Sequence, residues 1–119
     1  PISNVSSCFE MSIRIGFDSL KIKCINFIAV NSSNKVLREE LISWLSIKDL
    51  QMILEELKNY SKYEEMFYFV VEWVESDKVE RESKLLELLD YVSITSLNWK
   101  FLHEVVTERK KNEEKGGGA

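Results

Sequence analysis

The chain has 119 residues, of which 45% are hydrophobic and 30% are charged, and its formal net charge is −4. This length allows one domain, whose core is large enough to fold without disulfide bonds or metal. A single proline and four glycines exclude collagen-like, proline-rich and most all-β architectures, which need more chain-breaking residues. The composition therefore predicts a helical domain.

The distribution of charged and apolar residues argues against nucleic acid and membrane as partners. Nucleic-acid binding needs clustered basic residues, and the one basic cluster, Arg109–Lys111, is flanked by acidic residues. The most apolar run, Met66–Val74, contains Glu72 and is far shorter than the roughly 20 residues of a membrane span. The N-terminus has neither an initiator methionine nor a secretory signal. We therefore expect an excised piece of a cytoplasmic protein, with the nucleus as the alternative location.

Residues that carry catalysis or bind metal are scarce. Cys8 and Cys24 are the two cysteines, and His103 is the single histidine. A metal site needs more ligands at closer spacing, so we interpret both cysteines as small buried apolar residues in a reducing compartment. Gly16 is the only glycine before the tail, so the chain has no glycine-rich phosphate loop. The sequence predicts a domain without catalytic residues, cofactor or metal.

Apolar residues recur at intervals of three and four along the chain, which predicts amphipathic helices. The connections between them are two to six residues long, so consecutive helices are expected to form antiparallel hairpins. The fold class is therefore all-α, with about seven helices. They are expected over about Asn4–Ile15, Asp18–Val30 and Lys35–Leu45, after Ser46, after Ser61, over about Val79–Val92, and after Asn98.

Several residues indicate where these helices begin and end. Gly16 is expected to end the first helix, and Asp18 to cap the second. The pairs Ser46–Asp49 and Ser61–Glu64 have capping-box spacing and are expected to start the fourth and fifth helices. The fifth helix is apolar on nearly every side, so it is predicted to be the central and most buried one.

The second predicted helix has apolar residues on two opposite sides. Such a helix is either covered by neighbouring helices of its own domain or presents one side to a partner. Both alternatives are open from the sequence. The two sides consist of Leu20, Cys24, Phe27 and Ile28, and of Ile22, Ile25 and Ala29.

The second half of the chain carries an ordered set of motifs. A helix ends in Trp-Val, an Asp and an Arg follow four residues apart, and a leucine-rich helix precedes a final Phe-Leu helix. These motifs resemble the BACK domain, the helical module between the BTB and Kelch parts of BTB–Kelch proteins. Ser93 and Thr95 stand where the family often has Arg and Pro. The matching residues are Trp73, Val74, Asp77, Arg81, Leu85, Leu88, Leu89, Val92, Leu97, Phe101, Leu102, Val105 and Val106.

The resemblance extends to the N-terminal part and implies a division of the chain. Ile15–Asn31 is similar to the helix pair, often called the 3-box, that closes a BTB domain and opens BACK. Residues 1–30 would then be this helix pair, 31–109 the remainder of BACK, and 110–119 a flexible tail whose glycines resemble an added linker. The implied core residues are Trp73, Val74, Leu85, Leu89, Phe101 and Leu102.

The function that the resemblance implies is non-catalytic. BTB–BACK–Kelch proteins are commonly substrate adaptors of cullin-3 ubiquitin ligases, in which BACK orients the BTB domain and the Kelch propeller. The 3-box, here about residues 4–30, would add a groove for the N-terminal segment of cullin-3. Phe17, Ile22 and Ile25 are the predicted partner-facing residues, and the chain alone is expected to be monomeric. The alternative is a structural spacer of a BTB–BACK protein that acts in cytoskeletal or chromatin organisation without cullin.

Overall fold

The computed structural model describes residues 2–91, 104 and 107. Residues 2–91 form helices without any strand, which confirms the all-α prediction. A short 3₁₀ turn at Glu82–Lys84 lies between the last two helices. Most of the seventh predicted helix, with the predicted core residues Phe101 and Leu102, lies outside the described residues, of which Glu104 and Thr107 are helical. The helices are α1 (Ile2–Ile15), α2 (Asp18–Val30), α3 (Lys35–Ile42), α4 (Ile47–Asn59), α5 (Tyr63–Ser76), α6 (Lys78–Arg81) and α7 (Leu85–Leu89).

Helix α5 is the centre of the packing, as its apolar sequence predicted. It contacts α3, α4, α6 and α7. More residues are buried on α5 than on any other described helix, and Trp73 and Val74 are among them. Leu85 and Leu89 of α7 are half-buried and pack against the same core. The described residues therefore share one core built around α5.

The beginning of α4 follows the predicted capping arrangement. The Ser46 hydroxyl accepts a hydrogen bond from the Asp49 amide at 3.3 Å and donates one to the Asp49 carboxylate at 2.7 Å. This hydroxyl satisfies one of the backbone donors that every helix leaves unpaired at its start. The Ser46 cap is therefore confirmed, although the Asp49 carboxylate bonds to the Ser46 hydroxyl rather than to the Ser46 amide that a capping box uses.

Two other predicted caps are wrong. Phe17, rather than Asp18, occupies the capping position of α2, and Asp18 is the first helical residue and pairs with Lys21 at 3.6 Å. Ser61 ends α4 instead of starting α5. Its φ is 55°, its amide donates to the Lys58 carbonyl, and the Lys62 amide donates to the Leu57 carbonyl. These two bonds form a Schellman motif, so Ser61 is used by the preceding helix.

The predicted sixth helix is interrupted. Instead of one helix over about Val79–Val92, the chain forms α6, the 3₁₀ turn and α7. Neither α6 nor the turn has a buried residue. Short helical segments depend on the burial of side chains for their stability, and this polar stretch buries none that would keep it regular.

Lys62 fastens the N-terminal hairpin to the centre of the domain. Its ammonium group donates to the carbonyl oxygens of Ala29 at 2.9 Å and Val30 at 3.3 Å, at the end of α2. These carbonyls have no partner within their own helix and carry the negative end of its dipole. Lys62 itself precedes α5, so one side chain joins α2 to α5.

We expect Lys62→Met to lower the free energy of unfolding by about 1 kcal/mol, because the apolar stem is kept and the charged donor is lost. Lys58→Met is the matched control, because Lys58 lies exposed near the end of α4. Urea unfolding followed by circular dichroism measures both. Equal stability of the two variants would contradict a role for Lys62 in holding α2.

Candidate protein-interaction surface

The hairpin formed by α1 and α2 is closed by Gly16. Its φ is +72°, a region that glycine adopts without strain. The Gly16 amide donates to the Ile13 carbonyl at 3.3 Å, and the Phe17 amide donates to the Ser12 carbonyl at 2.9 Å. This Schellman motif ends α1 as predicted and allows α2 to begin immediately.

The covered side of α2 lies between the two apolar sides that the sequence suggested. Helices α1 and α4 pack against α2. The helix buries Cys24 and Ile28 from one predicted side and Ile25 and Ala29 from the other. The buried arc is therefore centred between the two sides, and neither side as a whole faces solvent. Neighbouring helices of the same domain cover this arc, and the rest of the α2 surface is half-buried or exposed.

The three predicted partner-facing residues have different surroundings. Phe17 and Ile22 are exposed, with 54% and 57% of their surface accessible. Ile25 is 9% exposed and belongs to the core cluster. This corrects the prediction for Ile25, because the packing of α2 directs its side chain inwards. Whether Phe17 and Ile22 contact a partner stays a prediction.

Besides Phe17 and Ile22, this hairpin exposes large apolar residues that were not predicted as contacts. Ile15 and Phe17 flank Gly16 at the tip, and Ile22 lies in the second turn of α2. Exposed apolar residues scattered singly are normal, whereas a group on one two-helix unit is typical of an interaction surface. We call Ile15, Phe17 and Ile22 the hairpin tip. Farther along, Met11, Phe27 and Val30 are also exposed.

Contacts with the following helices hold the hairpin in place. The Trp44 indole N–H donates to the Ser6 hydroxyl at 2.9 Å. The Trp44 ring also meets the Phe9 ring edge-on, with centroids 5.6 Å apart, and Phe9 is fully buried. Together with the Lys62 bond, these contacts connect both helices of the hairpin to the domain. The hairpin tip is therefore carried by a fixed element.

A shallow groove of about 270 Å³ runs between α1 and α2. Cys8 and Cys24 both line it, and both thiols are free. Cys24 is buried, but Cys8 is exposed, which corrects the prediction that both are buried. Burial, and next the charge of the nearby Cys8 thiolate, raise the pKa of the Cys24 thiol.

A larger concavity of about 770 Å³ lies between α3 and α5. Its buried charge is Arg38, whose guanidinium binds the Glu72 carboxylate through Nε at 3.0 Å and Nη2 at 2.8 Å. Nη1 donates to the Ser32 carbonyl at 3.0 Å, and the guanidinium lies 5.1 Å from the centre of the Tyr68 ring. These interactions use the Arg38 donors within the domain, so we interpret the pair as a link between α3 and α5.

The family-like residues of α5 and α6 form a second link. The Trp73 indole N–H donates to the Leu45 carbonyl at 2.7 Å. The Arg81 guanidinium lies 4.1 Å from the centre of the Trp73 ring and donates to the Trp73 carbonyl at 2.9 Å. Asp77 and Arg81 are four residues apart, a spacing that suits an ion pair on a helix surface, whereas the structure places the Arg81 side chain on Trp73. The Trp73 ring and carbonyl near the end of α5 therefore determine where the Arg81 side chain lies.

The described residues contain neither a group of metal ligands nor a membrane-spanning helix. Among residues 2–91, 104 and 107, no three His, Cys, Asp or Glu side chains are grouped so that they could hold a metal ion. In the same part of the chain, every helix is too short or too polar to cross a bilayer.

Comparison with known protein families assigns the chain to a family of helical domains. The family model "BACK: BTB And C-terminal Kelch" matches residues 5–107. The chain therefore belongs to the BACK family, whose members are structural and adaptor domains of BTB–Kelch-type proteins. No curated protein and no solved structure matches the chain.

Proposed function

We propose that this domain is a non-catalytic adaptor module that orients a substrate-binding Kelch domain relative to a BTB domain in a cullin-3 ubiquitin ligase, and that its N-terminal hairpin contacts cullin-3. The observation that carries the proposal is the exposed hairpin tip, Ile15, Phe17 and Ile22. It lies in the segment of about residues 4–30 that resembles the 3-box. The proposed location is the cytoplasm, with the nucleus as the alternative.

The chemistry of the hairpin tip suits a protein segment with apolar side chains. Phe17 and Ile22 offer large apolar surfaces whose removal from water would favour association. An aromatic or aliphatic residue that becomes fully buried on binding commonly dominates the energy of an interface. The tip would therefore act as an anchor for an apolar partner segment, with Asp18 and Lys21 at its margin.

The remainder of the domain suits a spacer that transmits orientation. Lys62 joins α2 to the start of α5, Trp44 joins the α3–α4 connection to α1, and Arg38 joins α3 to α5. Because these contacts cross between helices, a partner held by the hairpin has a defined position relative to α5. This property is the one that an adaptor between two domains requires.

Calorimetric titration with a cullin-3 N-terminal fragment, including its extreme N-terminal segment, tests the proposal. We expect Phe17→Asp and Ile22→Asp each to weaken binding by at least about tenfold, because each places a charge at the centre of an apolar contact. Val36→Asp is the matched control: Val36 is 60% exposed on α3, outside the hairpin. Circular dichroism verifies that all three variants keep their helicity.

A second titration separates the role of the BTB domain from that of the hairpin. If the isolated chain does not bind, the measurement is repeated with the BTB domain joined at its N-terminus. Binding that is equally strong in the wild type, Phe17→Asp and Ile22→Asp would contradict a contact through the hairpin tip. Absence of binding in both forms would contradict the cullin proposal and favour the structural spacer.

A further inference from the structure

Cys8 and Cys24 lie at matching positions of the hairpin. Cys8 precedes Gly16 by eight residues, and Cys24 follows it by eight. A helix rises about 1.5 Å per residue, so each cysteine lies roughly 12 Å from the turn along its own helix. Because the chain reverses at Gly16 and α1 packs directly against α2, this spacing is expected to bring the two residues to the same height, and both line one groove.

The two thiols share one groove but differ in their accessibility. Both line the groove between α1 and α2, together with Val5, Leu20 and Phe27. Cys8 is exposed, whereas Cys24 is 3% exposed. A small oxidant can therefore reach Cys8 from solvent, whereas Cys24 is shielded from it. In this arrangement, the exposed Cys8 would react first with the oxidant. The buried Cys24 would then attack the modified Cys8.

We propose that Cys8 and Cys24 form a thiol pair that closes into an intramolecular disulfide bond when the domain meets a small disulfide oxidant such as oxidised glutathione. In the first step, the Cys8 thiolate attacks one sulfur of the oxidant, forms a mixed disulfide and releases one glutathione thiolate. In the second step, the Cys24 thiolate attacks the Cys8 sulfur and releases the second glutathione thiolate. Two cysteine thiols are oxidised, and one glutathione disulfide is reduced to two thiols.

The bond would covalently join α1 to α2 across their groove. It closes a loop that contains the Gly16 turn, so it restricts the unfolded chain more than the folded one. The hairpin would become harder to open, and its exposed tip would keep a single arrangement. This inference stands on the thiol pair alone and does not depend on binding to cullin-3.

Treatment of the whole, folded chain with oxidised glutathione tests the pair. We expect a monomer that has lost two hydrogen masses, does not react with iodoacetamide, and regains both thiols with dithiothreitol. Its melting temperature should rise by several degrees relative to the reduced chain. Mass spectrometry of the proteolysed protein should find Cys8 linked to Cys24.

Two single variants separate the steps. Cys24→Ala should stop at the mixed disulfide on Cys8, and Cys8→Ala should stay unmodified because its remaining thiol is buried. Since Cys8 is exposed, Cys8→Ala is expected to fold normally, and circular dichroism verifies this. A wild-type chain that accumulates only the glutathione adduct, forms only linked dimers, or closes the bond only in denaturant would overturn the proposal.

Discussion

Replacement of Trp73 by alanine is expected to lower the free energy of unfolding by roughly 3–5 kcal/mol, the range for loss of a large buried aromatic side chain. Trp73 is 4% exposed on the central helix. Its indole N–H donates to the Leu45 carbonyl at 2.7 Å, and its ring is covered by Arg81. The substitution therefore opens a cavity in the core and leaves a buried carbonyl without its partner.

Urea and thermal unfolding, followed by the helical circular dichroism signal, measure this loss. Phe17→Ala is the control, because it also removes an aromatic ring but from a residue that is 54% exposed. We expect the control to change the free energy of unfolding by less than about 1 kcal/mol. An unchanged thermal midpoint in Trp73→Ala would show that the ring contributes little to the core.

The second large effect is expected at the Arg38–Glu72 pair. Glu72→Gln keeps the size of the side chain but leaves the buried Arg38 guanidinium without its counter-charge. We expect a loss of roughly 2–4 kcal/mol, since removal of one member of a buried ion pair leaves an uncompensated charge. The side chains of Arg38 and Glu72 are 8% and 24% exposed, so water screens the pair only in part.

The matched control for this prediction is Glu39→Gln. Glu39 pairs with Lys35 at 3.9 Å, but both side chains are mostly exposed. An exposed pair of this kind contributes less than about 0.5 kcal/mol, so the same chemical change should have a small effect. Comparable losses in Glu72→Gln and Glu39→Gln would contradict the structural role given to Arg38.

The double variant Arg38→Met/Glu72→Met separates the penalty of an unpaired charge from the value of the pair itself. Removal of both charges leaves no buried charge, so this variant is expected to be more stable than Glu72→Gln. If the double variant is the less stable of the two, the ion pair itself, rather than the cost of an unpaired guanidinium, supports the α3–α5 contact.

These predictions concern the two links that determine the position of α5. Trp73 connects α5 with the residues that follow α3, and Arg38 connects α3 with α5. Loss of either link would loosen the element that the proposed adaptor role depends on. A variant that keeps the hairpin folded but loosens the packing of α5 would therefore alter the relative orientation of the two joined domains. It would leave binding at the hairpin tip unchanged.

Several local features of the domain were predictable because short-range chemistry governs them. The left-handed conformation that ends α1 favours glycine, and Gly16 is the only glycine before the tail. Ser46 has a hydroxyl that reaches the amide of Asp49, so it starts α4 wherever the chain places that helix. The apolar surface of α5 is too large to leave in water, which made its central position predictable.

Other features required the tertiary structure. Ser61 and Glu64 have the spacing of a capping box. In the structure, however, Ser61 adopts the left-handed conformation that ends α4 and does not cap α5. The stretch before α7 has helical periodicity, but neither α6 nor the 3₁₀ turn buries a residue, so regular helix is lost there. In both places, the neighbouring element decided between two conformations that the local sequence allows.

The amino-acid sequence by itself determined the helical class, the position of the α1–α2 turn, the central helix and the likeness to BACK, because composition, periodicity and short-range hydrogen bonds specify them. Only the tertiary structure decided which residues of α2 are available to a partner. Ile22 and Ile25 share one apolar side in the sequence pattern, yet Ile22 is exposed and Ile25 is buried. The directions from which α1 and α4 approach separate the two residues, and these directions depend on contacts distant in the sequence.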